Sequence, residues 1–205
     1  MRKILISNGP TRIYLDPVRY ITNISSGKMG LALASAAAKF AEVCVVSANV
    51  DLPYPKNVQV TRVETNQEML SALTKKIEWA DIFISVAAVV DFEPTQISIQ
   101  KIKKTQSLEL KNSVDILKTL ALKKRADQIM IGFALETENL LTNAEKKLQD
   151  KNLDFIIANR AEESMGLDFA SVTILAKDGS KKVFEKMKKD ELAEKILEYF
   201  FYSIK

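Results

Sequence analysis

SSGKMGLALASAAAKFAEVCVVSA, residues 25–48, runs a helical pattern straight into a strand-like one. From Met29 to Ala41 the polar breaks are Ser35 and Lys39, which share a stripe with Lys28, so the rest of this helix surface is predicted to be buried. EVCVVSA (42–48) is a near-continuous apolar run, the pattern of a strand covered on both faces, as parallel sheets require. KILIS (3–7) has the same character, so the chain opens as β-α-β.

Working outward, VQVTRVE (58–64), DIFISVA (81–87), IMIGFA (129–134) and DFIIAN (154–159) read as further strands. Thr65-Asn66-Gln67-Glu68 spells a capping box, and Met69, Leu73, Ile77 and Ala80 follow at helical spacing. Leu140, Ala144 and Leu148 mark another helix, and Leu192, Ile196, Leu197 and Phe200 a C-terminal one. Asp178-Gly179 between two strand-like runs signals a late β-hairpin. The predicted class is α/β, a Rossmann-like, mostly parallel sheet flanked by helices, in a single domain spanning 1–205. Gly9 to Ser26 and Phe92 to Lys111 read as long irregular loops. Such segments after strand ends are where open α/β sheets take ligands, although each alone reads as well as a floppy insertion.

Two absences narrow the chemistry. The 205 residues contain no histidine, which removes Ser-His-Asp catalysis, histidine bases and histidine-held metals. The single cysteine, Cys44, lies in a strand-like run and reads as a core residue, so disulfides and Cys-based zinc sites drop out. Carboxylates, lysines, amides and borrowed Mg²⁺ remain. A net charge of +4 favours anionic partners, or simply reflects a lysine-rich surface. No basic stretch interleaves with aromatics, so no nucleic-acid partner is expected. No run approaches a membrane span or a signal peptide, and the expected location is cytoplasmic.

Asn23 to Gly30, NISSGKMG, looks like a phosphate loop yet fits neither common spelling. Thr22 stands where a P-loop has its first glycine, Met29 follows the lysine, and Gly27 and Gly30 supply only half of GxGxxG. Taken with NGPTR and LDPVRYIT before it, and with AAVVDF (87–92), KIKK (101–104), GFALET (132–137) and the Ala144–Asn159 pattern, it resembles phosphopantothenate–cysteine ligase in order and spacing. The resemblance covers nearly the whole chain. It implies amide formation between 4′-phosphopantothenate and L-cysteine through an acyl-nucleotide, made from CTP (alternatively ATP) with Mg²⁺. It also implies a homodimer. Because Met1 directly precedes the first strand, a stand-alone form is expected, with the phosphopantothenoylcysteine decarboxylase a separate protein.

Site residues follow from the same resemblance. Asn23 matches a catalytic asparagine, though alone an Asn before a helix is more often a cap. Lys101 matches a flap lysine over the reacting groups, whereas most KIKK clusters are solvated faces. Ser25, Ser26, Gly27 and Lys28 lead into a helix N-terminus, which suits a phosphate. Asp91, Asn112, Val114, Asp115 and Ile116 match nucleotide contacts, with Ser113 replacing a proline and leaving the rigidity of that turn open. Phe133 would lie against the base, and Lys147 and Lys151, one helical turn apart, would hold the nucleotide. Arg19, Ala87 and Ala88 would meet the acid substrate; their bland readings are a solvated arginine and close packing. No metal ligand is assigned. Further departures, Asn8, Ile13-Tyr14 and Val90, are placed beside the site. The rivals are an NAD(P)-dependent oxidoreductase, which lacks an acid at the end of EVCVVSA, and a nucleotide-sensing protein on the same fold.

Overall fold

The computed structural model describes residues 1–104, 107–164 and 166–203. Six strands run parallel: β1 (Lys3–Asn8), β4 (Glu42–Ala48), β5 (Gln59–Val63), β6 (Ile82–Ser85), β9 (Ile129–Glu136) and β10 (Phe155–Arg160). They are the six apolar runs read from the sequence, each shifted by no more than two residues at its ends. The hairpin β11 (Phe169–Ala176) and β12 (Lys181–Lys188) adds antiparallel strands, giving the order β12-β11-β10-β9-β6-β1-β4-β5. From β1 the chain steps outward to β4 and β5, then returns to β6 on the other side of β1. That reversal makes a crevice between β1 and β6.

Helices cover both faces because successive strand residues point to opposite sides. Ile4 and Ile6 face α1 (Lys28–Ala37) and α6 (Lys189–Ser203), which pack on each other through Leu33, Ala37, Leu192 and Ile196. Leu5 and Phe83 face α2 (Asn66–Thr74), α3 (Ile116–Ala121) and α4 (Leu140–Asp150), through Met69, Leu73, Leu120 and Ala144. The capping box forms: Thr65 Oγ1 accepts from the Glu68 N–H at 3.2 Å, and Glu68 Oε2 accepts from the Thr65 N–H at 3.2 Å. Cys44 is buried in β4. A short helix, α5 (Ala161–Ser164), follows β10.

The two expected irregular loops both contain strands. Within 9–26, β2 (Arg12–Asp16) pairs antiparallel with β3 (Arg19–Thr22). Tyr14 meets Tyr20 edge-on at 5.8 Å, and Arg12 lies 4.3 Å over the Tyr20 ring. Within 92–111, β7 (Phe92–Pro94) pairs with β8 (Leu110–Asn112) and draws the ends of the segment together. Both ribbons lie outside the main sheet, so one-sided burial never writes an alternating pattern into them.

Candidate active site

A cavity of about 770 Å³ occupies the crevice beyond the carboxyl ends of β1 and β6. Asn8 and Ser85 end those strands and line it, with the turn from Val86 to Val89. The entry to α1 borders one side. Gly27 sits at φ 71°, and a Cβ there would come within 2.4 Å of Val50 Cγ2, so the turn requires glycine. Asn8 Nδ2 donates to the Gly27 carbonyl at 2.9 Å and to the Tyr54 hydroxyl at 2.6 Å, holding the loop from within the fold. Helix α1 begins with no side-chain cap and no acid in its first turn, so its positive end is left for an anion.

Asn23, Ser25, Ser26, Gly27 and Lys28 all line the cavity, as do Ala87 and Ala88. Asn23 Nδ2 donates to the carbonyls of Val89 at 2.9 Å and Ala88 at 3.3 Å. Its amide therefore ties the α1 loop to the β6–β7 turn and leaves Oδ1 to accept from a ligand. Lys28 forms a salt bridge with Asp168.

On the opposite face, Asp91, Asn112, Val114, Asp115, Ile116, Phe133, Lys147 and Lys151 line the cavity together, although they are far apart in sequence. Asp115 caps α3, accepting from the Lys118 N–H at 2.9 Å, and pairs with Lys151 at 2.7 Å. Burial works against the Asp115 carboxylate, but Lys151 and the Lys118 N–H outweigh it and hold its pKa below the usual value. Burial, then the like charge of Lys151, pushes the Lys147 ammonium below the ordinary lysine value, with Glu136, Asp91 and Asp115 pulling the other way. An anion seated between the two lysines would relieve that repulsion. Ser113 settles the turn where proline was missing. Its N–H donates to the Asp91 carbonyl at 2.8 Å and its hydroxyl to the Val90 carbonyl, and proline could make neither bond.

Two predicted residues stand apart. Arg19 and Lys101 are exposed and do not line the cavity among the described residues. Asp16, itself buried, captures Arg19 through Nε and Nη2, and Arg19 Nη2 also donates to the Ile102 carbonyl. Asp16 further accepts from the Ile102 N–H at 3.1 Å, so Lys101 is carried on a segment pinned to the β2–β3 hairpin. Burial opposes the charge on Asp16, but Arg19 and the backbone donors hold its carboxyl well below the usual range.

No cluster of three or more metal-ligating side chains occurs among the described residues. The donor set fits an ion that arrives with phosphates, since Mg²⁺ commonly needs only one or two carboxylates. Asp91 is the lining carboxylate available for that, because Asp115 is engaged by Lys151. An oxidoreductase reading finds no ribose-holding acid after β4: Asn49 stands there, its Nδ2 donating to the Pro10 and Glu64 carbonyls.

Sequence reasoning missed Lys189, Asn159 and Ala170, which also line the cavity. Lys189 sits in the lysine-rich run KKVFEKMKKDELAEK, where nothing distinguishes it from its neighbours. Asn8 was placed beside the site and lies in it.

Residues 1–202 match the family model described as DNA/pantothenate metabolism flavoprotein C-terminal domain. The chain is 42% identical over 205 residues to the Coenzyme A biosynthesis bifunctional protein CoaBC of Bacillus subtilis, covering 96% of this chain and 50% of that protein. It is 37% identical to the CoaBC of Borreliella burgdorferi, covering 98% of this chain and 52% of that protein. The chain thus spans about half the length of the curated relatives it matches. A crystal structure of the C-terminal domain of CoaBC superposes with TM-score 0.86 at 39% identity, covering 99% of this chain and 95% of that one. A Cab2 variant in complex with phosphopantothenate-cysteine shares the fold, with TM-score 0.81 at 17% identity, covering 99% of this chain and 86% of that one. With the family model matched from residue 1 to residue 202, the chain belongs to the DNA/pantothenate metabolism flavoprotein C-terminal domain family, the C-terminal half of CoaBC.

Proposed function

We propose that the chain joins 4′-phosphopantothenate to L-cysteine in coenzyme A biosynthesis, using CTP, with ATP the alternative nucleotide. The observation that carries this reading is one cavity that unites Asn23, the Ser25–Lys28 helix entry and the Lys147–Lys151 pair without any histidine. In the first half-reaction a substrate carboxylate oxygen attacks the α-phosphorus of the nucleotide, and the bond to the bridging oxygen breaks to release pyrophosphate. In the second, the cysteine amine attacks the acyl carbon, the nucleoside monophosphate leaves, and the amine proton passes to solvent. Both steps need positioning and charge neutralisation more than proton transfer by the protein.

The residues divide accordingly. Lys147, Lys151 and the N–H groups entering α1 neutralise phosphate oxygens, and Mg²⁺, when bound, would add charge neutralisation beside Asp91. Asn23 Oδ1 orients the attacking amine, since Nδ2 is spent on Ala88 and Val89. Exposed Val18, Tyr20, Ile97 and Ile99, near one another through the Asp16–Ile102 and Leu15–Ser98 bonds, favour a homodimer through this hairpin. A cytoplasmic location fits substrates of this kind, and no helix of the described residues is long and apolar enough to cross a membrane. Incubating the protein with phosphopantothenate, cysteine, Mg²⁺ and either nucleotide should give phosphopantothenoylcysteine, nucleoside monophosphate and pyrophosphate. No product with either CTP or ATP would refute the reading.

A further inference from the structure

Helix α1 meets the cavity through the turn at Gly27, and what stands behind that turn lies outside the cavity wall. Val50 packs under it: a Cβ on Gly27 or on Gly9 would come within 2.4 Å of Val50 Cγ2. Tyr54, further along the same loop, presents its hydroxyl to Asn8, whose Nδ2 donates to it at 2.6 Å and to the Gly27 carbonyl at 2.9 Å. Ser47 Oγ lies 3.1 Å from the same hydroxyl, at the position of β4 paired with Asn8. Arg62, in β5, donates through Nη1 to the Val50 carbonyl and sets its guanidinium 5.4 Å from the centre of the Tyr54 ring. Among the described residues, none of Ser47, Val50, Tyr54 and Arg62 lines the cavity.

These bonds reach the site through one rigid peptide. The Gly27 carbonyl accepts from the Leu31 N–H at 3.1 Å, the first bond of the helix, and from Asn8 Nδ2. That carbonyl and the Lys28 N–H share a peptide plane and, across a trans bond, point in opposite directions. Turning the carbonyl inward on Asn8 therefore turns the Lys28 N–H outward, to where an anion at the α1 entry would stand. Among the described residues this N–H meets only Ser26 Oγ, at 3.5 Å, the limit of a hydrogen bond. Asn8 is buried, and both of its amide hydrogens are spent, on Gly27 and Tyr54. Its amide cannot be turned over without facing its oxygen onto the Gly27 carbonyl. Ser47, buried as well, gives the phenol proton an acceptor once the phenol oxygen has accepted from Asn8. Each member of this chain of bonds is satisfied only while the others keep their places.

We propose that Tyr54 is a positioning residue for the phosphate-facing turn: with Ser47 behind it and Arg62 across its ring, it fixes Asn8, which aims the Gly27–Lys28 peptide. Tyr54 touches no ligand in this arrangement and acts only through Asn8. The proposal rests on the ligase reading for its kinetic consequence, and on the α1 entry alone for its effect on anion binding.

Binding of inorganic pyrophosphate, measured by isothermal titration calorimetry on the full chain, tests the role. Tyr54→Phe keeps the ring under Arg62 and removes one hydroxyl, and should weaken binding by roughly 3- to 10-fold, the worth of one hydrogen bond. Asn8→Ala should weaken it at least as much. In the double variant Tyr54→Phe should add nothing further, because its route to the anion is already gone. A merely structural tyrosine would leave the affinity of the folded protein alone, and an independent effect would multiply with that of Asn8→Ala. In turnover, Tyr54→Phe should raise KM for nucleotide and leave KM for cysteine in place, whereas a protein that is only less stable would lose kcat with both KM values unmoved. Unchanged pyrophosphate affinity in the Tyr54→Phe protein would overturn the proposal, and so would a further loss in the double variant. If Asn8→Ala fails to fold, the single variant decides alone. A parent that binds no pyrophosphate would overturn the proposal too, since the turn would then meet no anion. A parent that binds pyrophosphate in this pattern but forms no amide would refute the ligase reading and leave the positioning role standing.

Discussion

Gly30→Ala sets helix propensity against close packing, and the structure decides the sign. Gly30 lies in the first turn of α1, where replacing glycine by alanine should by propensity alone stabilise the helix by about 1 kcal/mol. A Cβ at this position, however, would stand 2.1 Å from Asn8 Oδ1, 2.2 Å from its Cγ and 2.8 Å from its Cβ. Asn8 is 1% exposed at the end of a central strand and held by the Gly27 carbonyl and the Tyr54 hydroxyl, so it can make room only by moving off those bonds toward the cavity. Overpacking of this kind costs roughly 1–3 kcal/mol. Displacing Asn8 also endangers its bonds to the Gly27 carbonyl and the Tyr54 hydroxyl, each worth about 1 kcal/mol. After the propensity gain is set against these losses, the variant should be less stable by about 2–4 kcal/mol. For a chain of this size that lowers Tm by roughly 5–15 °C. Because the Gly27 carbonyl loses its anchor, nucleotide KM should rise as well, measured below the variant's unfolding transition. Urea unfolding of the two proteins gives the stability difference and steady-state kinetics the second effect. A variant as stable as the parent, or stabilised, would refute the packing argument.

Asn23→Ala should still release pyrophosphate in a single turnover while the acyl-nucleotide accumulates, slowing the amide step on the order of 10²-fold; equal loss of both half-reactions would make Asn23 only a loop tie. Lys147→Gln or Lys151→Gln should raise nucleotide KM by roughly 10-fold or more, whereas Lys101→Gln should mainly lower kcat for acyl-nucleotide formation; titrating CTP against each variant separates the two. Lys147 has a folded pKa below its unfolded value, so charging it opposes folding at low pH, and that penalty fades as pH rises from the folded toward the unfolded value. A bound nucleotide anion pushes this pKa back up, so nucleotide binding should take up protons at alkaline pH and weaken as pH rises; calorimetry in buffers of different ionisation enthalpy measures this, and Lys147→Gln should abolish it.

The sheet was legible because its strands are covered on both faces, which writes continuous apolar runs such as ILIS and EVCVVSA. The capping box at Thr65 was legible because its chemistry is local. The hairpin β2–β3 was not. It is held by Glu64, whose Oε1 accepts from Arg12 Nη1 and the Tyr14 hydroxyl, each at 2.7 Å, some fifty positions away in the chain. The lining of the candidate site was legible where a motif concentrates residues, as at Asn23 to Lys28, and where one helix presents two lysines to the cavity. Lys189 was hidden because its distinction is burial beside Lys28, a contact made by the packing of α6 on α1.

The two residues outside the cavity belong together. Arg19 commits Nε and Nη2 to Asp16, and Nη2 also to the Ile102 carbonyl, so Nη1 is the group with which it would meet an anion. Asp16 cannot release Arg19 without losing the countercharge that helps hold its own buried carboxyl ionised, and the same carboxylate fixes the Ile102 N–H. An anion that draws on Arg19 would therefore act on both the N–H and the carbonyl of Ile102 and, through the 101–102 peptide, on Lys101. Under the proposed function, a substrate contact at the hairpin and the placement of Lys101 would then be coupled through the Asp16 carboxylate. If Arg19 meets substrate as the proposed function has it, Arg19→Lys should therefore lower kcat, as Lys101→Gln does, although neither residue stands in the cavity wall; an Arg19→Lys protein with unchanged kinetics would refute that link.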